Sequence, residues 1–73
     1  MRVMGKALPG GATEYAIGHG RSFHVVSKGE WVCLFSYAGS SVLPVWSMRR
    51  KATENGRARC IAFIQQMIDA LEA

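Results

Sequence analysis

The stretch FHVVSKGEWVCLFSY, residues 23–37, decides the fold of this chain. β-branched and aromatic residues dominate it on both sides of Ser27-Lys28-Gly29, which is typical of two strands joined by a turn. We therefore expect strands over residues 22–26 and 30–37, with a three-residue loop that ends in a left-handed Gly29. A two-residue loop would instead place His24 with Cys33 on the aromatic face, so the longer loop is preferred. The expected core face then carries Phe23, Val25, Trp31, Cys33, Phe35 and Tyr37.

The rest of the chain predicts a third strand and a helix. Residues 42–48 suggest an edge strand or a strand broken by a bulge, because Pro44 cannot donate a ladder hydrogen bond. From about residue 54 to residue 71 apolar residues recur with helical period, and Thr53 or Asn55 is a suitable N-cap. We expect an α+β domain over residues 22–73, in which a three-stranded antiparallel sheet packs on one C-terminal helix in the order β-β-β-α. Its expected core comprises Trp31, Phe35, Trp46, Ile61, Ile64 and Ile68.

Residues 1–21 predict a flexible N-terminal arm, because they hold five of the eight glycines and few large apolar side chains. Tyr15, Ala16 and Ile17 suit a short strand or a place on the domain edge. Gly18 and Gly20 would stop anything longer.

The predicted register leaves an apolar reverse face on the sheet. Five aliphatic side chains left in water would forfeit on the order of 8 to 15 kcal/mol, comparable with the whole stability of a small domain. The N-terminal arm, a second copy of the chain or a larger protein partner would cover them. We therefore expect a small non-enzymatic protein that acts through protein contacts, as a homodimer or by docking on a larger partner. The expected partner-binding residues are Val26, Val32, Leu34, Leu43 and Val45.

The basic residues predict an alternative function. The net charge of +4 is concentrated in residues 49–59, where five cationic side chains stand against Glu54 alone. Such a cluster suits phosphate contacts in a nucleic-acid-binding module. The expected residues are Arg49, Arg50, Lys51, Arg57 and Arg59, with Lys28 and Arg21 adding to the same potential.

Two short motifs invite a family comparison. His24-Val25-Val26 followed by Gly29-Glu30-Trp31 resembles small bacterial or phage domains of unknown function that have a strand, strand, strand, helix plan. The likeness covers about residues 22–70, and the apolar Leu43-Pro44-Val45-Trp46 departs from it. The same plan is similar to the small DNA-binding domains at the start of tyrosine recombinases, which lay their sheet in the major groove. These resemblances imply a fold, and the second implies duplex binding.

No residue pattern predicts catalysis, a metal site, a cofactor or a small-molecule substrate. His19 and His24 have no carboxylate at a spacing that suggests an acid–base pair, and Cys33 and Cys60 form no Cys-x-x-Cys motif. Both cysteines are expected on apolar faces, where a thiol is inert. No apolar run reaches the 18 or so residues of a membrane span, and no signal peptide is recognised, so we expect a cytoplasmic protein without membrane contact.

Overall fold

The computed structural model describes residues 4–39 and 42–72, which form one antiparallel sheet with one helix against it. The strands lie in chain order: β1 (Lys6–Ala7), β2 (Thr13–Gly18), β3 (Arg21–Lys28), β4 (Trp31–Ala38) and β5 (Trp46–Lys51). A 3-10 turn, Ala52–Glu54, leads to helix α1, Gly56–Glu72. The α+β class and the C-terminal helix are thus confirmed.

The prediction of a three-stranded sheet with a flexible arm is wrong, because the sheet has five strands and the first two come from the supposed arm. β2 pairs with β3, and its Tyr15 and Ile17 are buried in the core. Two of the glycines that suggested a flexible arm, Gly18 and Gly20, instead form the turn between β2 and β3. Gly18 and Gly20 have φ angles of +86° and +69°, a region that glycine enters without steric cost.

The turn between β3 and β4 is one residue shorter than predicted. Lys28 pairs with Trp31, which leaves Gly29 and Glu30 as a two-residue loop. Gly29 has a φ of +57°, and glycine with positive φ at the first loop position suits a tight hairpin whose twist matches its strands. Because alternate residues of a strand point to opposite faces, this one-residue difference turns over every side chain of β4 relative to β3.

The core accordingly lies on a different set of β4 residues. Val32 and Leu34 face α1, whereas Trp31 and Phe35 lie on the opposite side of the sheet, contrary to the prediction. The buried cluster comprises Tyr15, Ile17, Phe23, Val25, Val32, Leu34, Cys60, Ile64 and Ile68. The helical part of the predicted core is confirmed by Ile64 and Ile68.

Trp46 and Ile61 lie at the margin of this core. Ile61 is partly buried and packs against the cluster. Trp46 is 37% exposed, and its ring meets Phe23 and Phe63 edge-on at centroid distances of 6.0 and 5.7 Å. These two residues close the edge of the core without being buried within it.

Helix α1 lies close against the end of β5. Its buried positions, Gly56, Cys60, Ile64 and Ile68, recur every four residues and form one stripe along the helix. A Cβ on Gly56 would lie 2.8 Å from the carbonyl oxygen of Lys51, so the first turn requires glycine. Asn55, in the left-handed region with a φ of +56°, separates the 3-10 turn from α1.

Strand β5 also differs from its prediction. It begins at Trp46, beyond Pro44, and runs to Lys51, three residues past the predicted end at residue 48, so the first three residues of the basic segment belong to the strand itself. Val45 N–H donates to the carbonyl of Ser36 at 2.7 Å and directs the chain into the pairing with β4. The expectation of an edge position is confirmed, since β5 is the last strand of the sheet.

Candidate nucleic-acid interface

The candidate site is the face of the sheet that α1 does not cover, which we call the open face. Strand alternation and the pairings Val26–Cys33–Arg49 and His24–Phe35–Ser47 define its members. They are Glu14, Ala16, Ser22, His24, Val26, Lys28, Trp31, Cys33, Phe35, Tyr37, Ser47, Arg49 and Lys51. The open face therefore combines aromatic, basic and small polar side chains.

Three aromatic side chains of β4 form a strip along the middle of the open face. Trp31, Phe35 and Tyr37 are each partly exposed. Residues two apart on a strand lie roughly 7 Å apart, so Phe35 and Tyr37 are neighbours and Trp31 lies about 14 Å from Phe35. The ring surfaces that were predicted to meet the helix thus face solvent.

Cationic side chains lie over two of these rings. The guanidinium carbon of Arg49 is 4.1 Å from the ring centroid of Trp31, and the Nζ of Lys28 is 5.7 Å from that of Phe35. Both distances are within the range of cation–π attraction, worth about 0.5 to 1 kcal/mol at exposed sites. These contacts hold positive charge above the aromatic strip.

The far side of the open face carries a histidine–carboxylate pair. His24 Nε2 lies 3.1 Å from Glu14 Oε2, and its ring lies 4.5 Å from that of Tyr37. Sequence reasoning missed this pair because ten residues separate its members, and β2 had been taken for part of an arm. In the folded chain Glu14 and His24 are directly paired across β2 and β3.

Charge is unevenly distributed across the open face. On β5 stand Arg49 and Lys51, both exposed, and Lys28 lies at the same end of the sheet because it pairs with Trp31, the partner of Lys51. On the opposite side Glu14 lies between Lys6 of β1 and His24 of β3. The positive potential is therefore concentrated along β5.

The structure divides the five predicted phosphate-contacting residues between two sides of the domain. Arg49 and Lys51 belong to the open face. Arg50 points to the helix side, where its Nε is buried without a hydrogen-bond partner in the described parts of the chain. Arg57 donates to Thr13 Oγ1 at 3.0 Å, and Arg59 is exposed on α1. The basic segment is thus not one continuous surface.

The predicted protein interface is divided as well. Val32 and Leu34, 2% and 0% exposed, are buried beneath α1 and are inaccessible in the folded chain. Val26 lies partly exposed on the open face. Leu43 and Val45 are 76% and 53% exposed in the connection between β4 and β5. The reverse face proposed from the sequence does not exist as a single surface, because the shorter turn inverts β4.

The two thiols lie on opposite sides of the sheet. Cys60 is buried in the core, and its burial raises the pKa of the thiol above the usual value near 9.0 despite opposing effects of Arg50 and Arg57. Cys33 is partly exposed on the open face, contrary to the expectation that it lies in the core. Within residues 4–39 and 42–72 both are free, and no cluster of histidine, cysteine and acidic side chains suits a metal ion.

Sequence reasoning noticed the aromatic residues of β4 but assigned them to the core. The signal in favour of the correct side is Gly29 followed by Glu30, a pair that fits a two-residue loop with glycine first, although Gly29 also fits the end of a three-residue loop. Val32 and Leu34 are as suitable for a core as Trp31 and Phe35. Composition alone could not choose between the two faces.

No helix in the described chain is long and apolar enough to cross a membrane. We also compared the chain with models of protein families, with curated proteins and with solved structures, and none of the three comparisons finds a match. The resemblances drawn from the short strand motifs therefore stay predictions. Functional conclusions depend on the geometry of the open face.

Proposed function

We propose that this protein is a non-enzymatic nucleic-acid-binding module that uses the open face of its sheet. The observation that carries the proposal is the pairing of cations with aromatic rings, Arg49 over Trp31 and Lys28 over Phe35. Surfaces that bind nucleic acids combine cations, which contact phosphates, with aromatic side chains, on which bases stack. The open face offers both within one strand spacing of each other.

The register of β4 favours this function over the protein interface expected from the sequence. A free face that presented Val32 and Leu34 would suit neither phosphates nor bases. Val32 and Leu34 are instead buried beneath α1. Trp31 and Phe35 lie on the free face, where Val32 and Leu34 were expected. The net charge of +4 adds a long-range attraction for polyanions.

The test removes two cations from the open face. Arg49→Ala combined with Lys51→Ala should weaken oligonucleotide binding at low salt by at least about tenfold, as measured by fluorescence anisotropy. The slope of log K against log salt concentration should become shallower by about 1.4 to 1.8, because each phosphate contact contributes about 0.7 on single strands and about 0.9 on duplex.

A charge-matched control removes the same number of cations from the helix side. Arg57→Ala combined with Arg59→Ala should leave the affinity within about twofold of the unmodified protein, since neither residue reaches the open face and only long-range attraction is lost. Equal losses in the two double variants would show that the open face is not the binding site. Failure of the unmodified protein to bind any oligonucleotide at low salt would remove the proposal.

A second candidate function rests on a different observation, the apolar connection between β4 and β5. Val42, Leu43 and Val45 are 90%, 76% and 53% exposed, and adjoining apolar side chains exposed together mark a site of protein contact. We propose this connection as a protein-binding segment, through which the chain forms a homodimer or docks on a larger protein.

Sedimentation measures the self-association directly. A homodimer would have a mass of about 16 kDa, twice the 8.0 kDa of the chain, and Leu43→Lys with Val45→Lys should return it to the monomer. Neither substitution should reduce folding stability, because both side chains lie outside the core. A strict monomer at high concentration would exclude the homodimer.

A further inference from the structure

We infer that the open face is built for single-stranded nucleic acid rather than duplex, with the phosphate backbone along β5 and the bases over the aromatic strip of β4. This inference rests on the proposed function and specifies its ligand. It arises from the order of chemical types across the strands, which is basic on β5, aromatic on β4 and near neutral across β1 and β2, where Lys6 stands beside Glu14.

The charge distribution on the open face suits contact with one phosphate backbone and not with the two backbones of a duplex. A sheet laid along the major groove places its outer strands beside the two backbones that border a groove about 12 Å wide. The outermost strand beyond β2 is β1, which has only two residues, so β5 and β2 are the longer strands toward the two sides of the sheet. They are three strand spacings apart, roughly 14 Å, and each would face one backbone. β5 offers Arg49 and Lys51, whereas on the opposite side the positive charge of Lys6 on β1 is offset by Glu14 on β2, whose carboxylate repels phosphate. A single strand requires only the β5 side.

The middle of the open face has the chemistry for unpaired bases. Duplex bases expose only their edges, which side chains read through hydrogen bonds, whereas unpaired bases expose rings that stack on aromatic side chains. The middle of this face presents Trp31, Phe35 and Tyr37 with Val26 and Cys33 beside them, and only Trp31 and Tyr37 carry a strong hydrogen-bonding group that could read base edges. Its partly exposed rings instead offer stacking surfaces.

Arg49 joins the two parts of the proposed site. Its guanidinium lies over the Trp31 ring at 4.1 Å, and the side chain projects from β5, where the phosphates would run. A guanidinium stacked on an aromatic ring keeps its N–H groups in the plane, free to donate to a phosphate, and its outer side can receive a base. One side chain therefore serves both chemical parts of a nucleotide.

The experiment compares four ligands of one mixed sequence: a single DNA strand, a single RNA strand and the corresponding DNA and RNA duplexes. At fixed low salt we expect a single strand to bind at least about tenfold more tightly than its duplex, because stacking of two bases, at about 1 to 3 kcal/mol each, is worth more than that factor. Phe35→Leu keeps an apolar side chain but removes the aromatic ring. It should reduce single-strand affinity about fivefold or more and leave duplex affinity unchanged, with circular dichroism confirming the fold.

The outcomes separate this inference from the proposed function. Duplex binding that equals or exceeds single-strand binding would overturn the inference, while the proposed function would stand. Equal losses in Phe35→Leu for single strands and duplexes would also overturn it. Absence of binding to all four ligands would remove both. Should Phe35→Leu fail to fold, Tyr37→Leu makes the same test at the other end of the strip. The ratio of single-stranded DNA affinity to single-stranded RNA affinity identifies the preferred nucleic acid.

Discussion

The two sides of β4 are made of the same strand and have opposite environments. Val32 and Leu34 are buried against α1, whereas Trp31 and Phe35, one residue away, lie partly exposed under Arg49 and Lys28. The smaller aliphatic side chains make the core, and the larger aromatic ones are left outside it. Aromatic residues that a fold does not bury are available for binding, and this difference directs attention to the open face.

The comparison of the two sides depends on a single turn. A loop of three residues in place of Gly29-Glu30 would exchange the two sets of β4 side chains and produce an aromatic core with an aliphatic reverse face. The β3–β4 register is therefore the feature on which both the fold and the proposed function depend. Substitutions on the two sides of β4 and in the turn therefore test this register directly.

The strongest challenge is a pair of substitutions on neighbouring residues of β4. Leu34→Ala should lower the free energy of unfolding by about 2 to 5 kcal/mol, because the side chain is fully buried and a cavity would remain. Cys33→Ala, on the open face, should cost less than about 1 kcal/mol. Urea denaturation measures both. A greater loss from Cys33→Ala than from Leu34→Ala would invert the assignment of the two sides.

A smaller effect is expected at the turn itself. Gly29→Ala should cost about 1 kcal/mol, because a side chain is strained at a φ of +57°. Gly29→Asn is the matched control and should cost less, since asparagine tolerates positive φ better than other residues with a side chain. Thermal unfolding ranks the two variants. If alanine were tolerated as well as asparagine, the turn geometry assigned to Gly29 would be incorrect.

The smallest effect concerns the two cysteines, one on each side of the sheet. Cys33 should react with a thiol reagent in the folded protein, and Cys60 only after unfolding. Because burial raises the pKa of Cys60 above about 9.0, the unfolded chain loses this proton first, and folding stability should fall as pH rises past that value. Cys60→Ala should reduce this alkaline loss. Equal labelling rates for the two thiols in the folded protein would contradict the account.

The sequence was sufficient for the parts of the fold that local patterns determine. The period of Ile61, Ile64 and Ile68 predicted α1, and the β-branched and aromatic residues around Gly29 predicted β3 and β4. β2 was foreseen only as a short strand at residues 15–17, one of two alternatives, because Gly18 and Gly20 were taken as chain breakers, whereas they make the reversal into β3. Their role as turn residues follows from the pairing of β2 with β3, which buries Tyr15 and Ile17.

The candidate site was predictable only in part. Arg49 and Lys51 were named from charge alone, but strand alternation places Arg50 between them on the other face, which a charge count cannot show. Trp31 and Phe35 were recognised as important and assigned to the wrong side, because both loop lengths are compatible with the residues around Gly29. Which side chains face the open side depends on the register between strands, and the sequence of one segment alone does not determine that register.

The most direct test of the central claim uses one of the two tryptophans as a reporter. In the Trp46→Phe variant Trp31 is the only tryptophan, and it lies on the open face beneath Arg49. We predict that a single-stranded oligonucleotide quenches its fluorescence in step with the binding seen by anisotropy, because bases stack beside the ring. Binding by anisotropy with no change in Trp31 emission would contradict the assignment of the open face as the nucleic-acid interface.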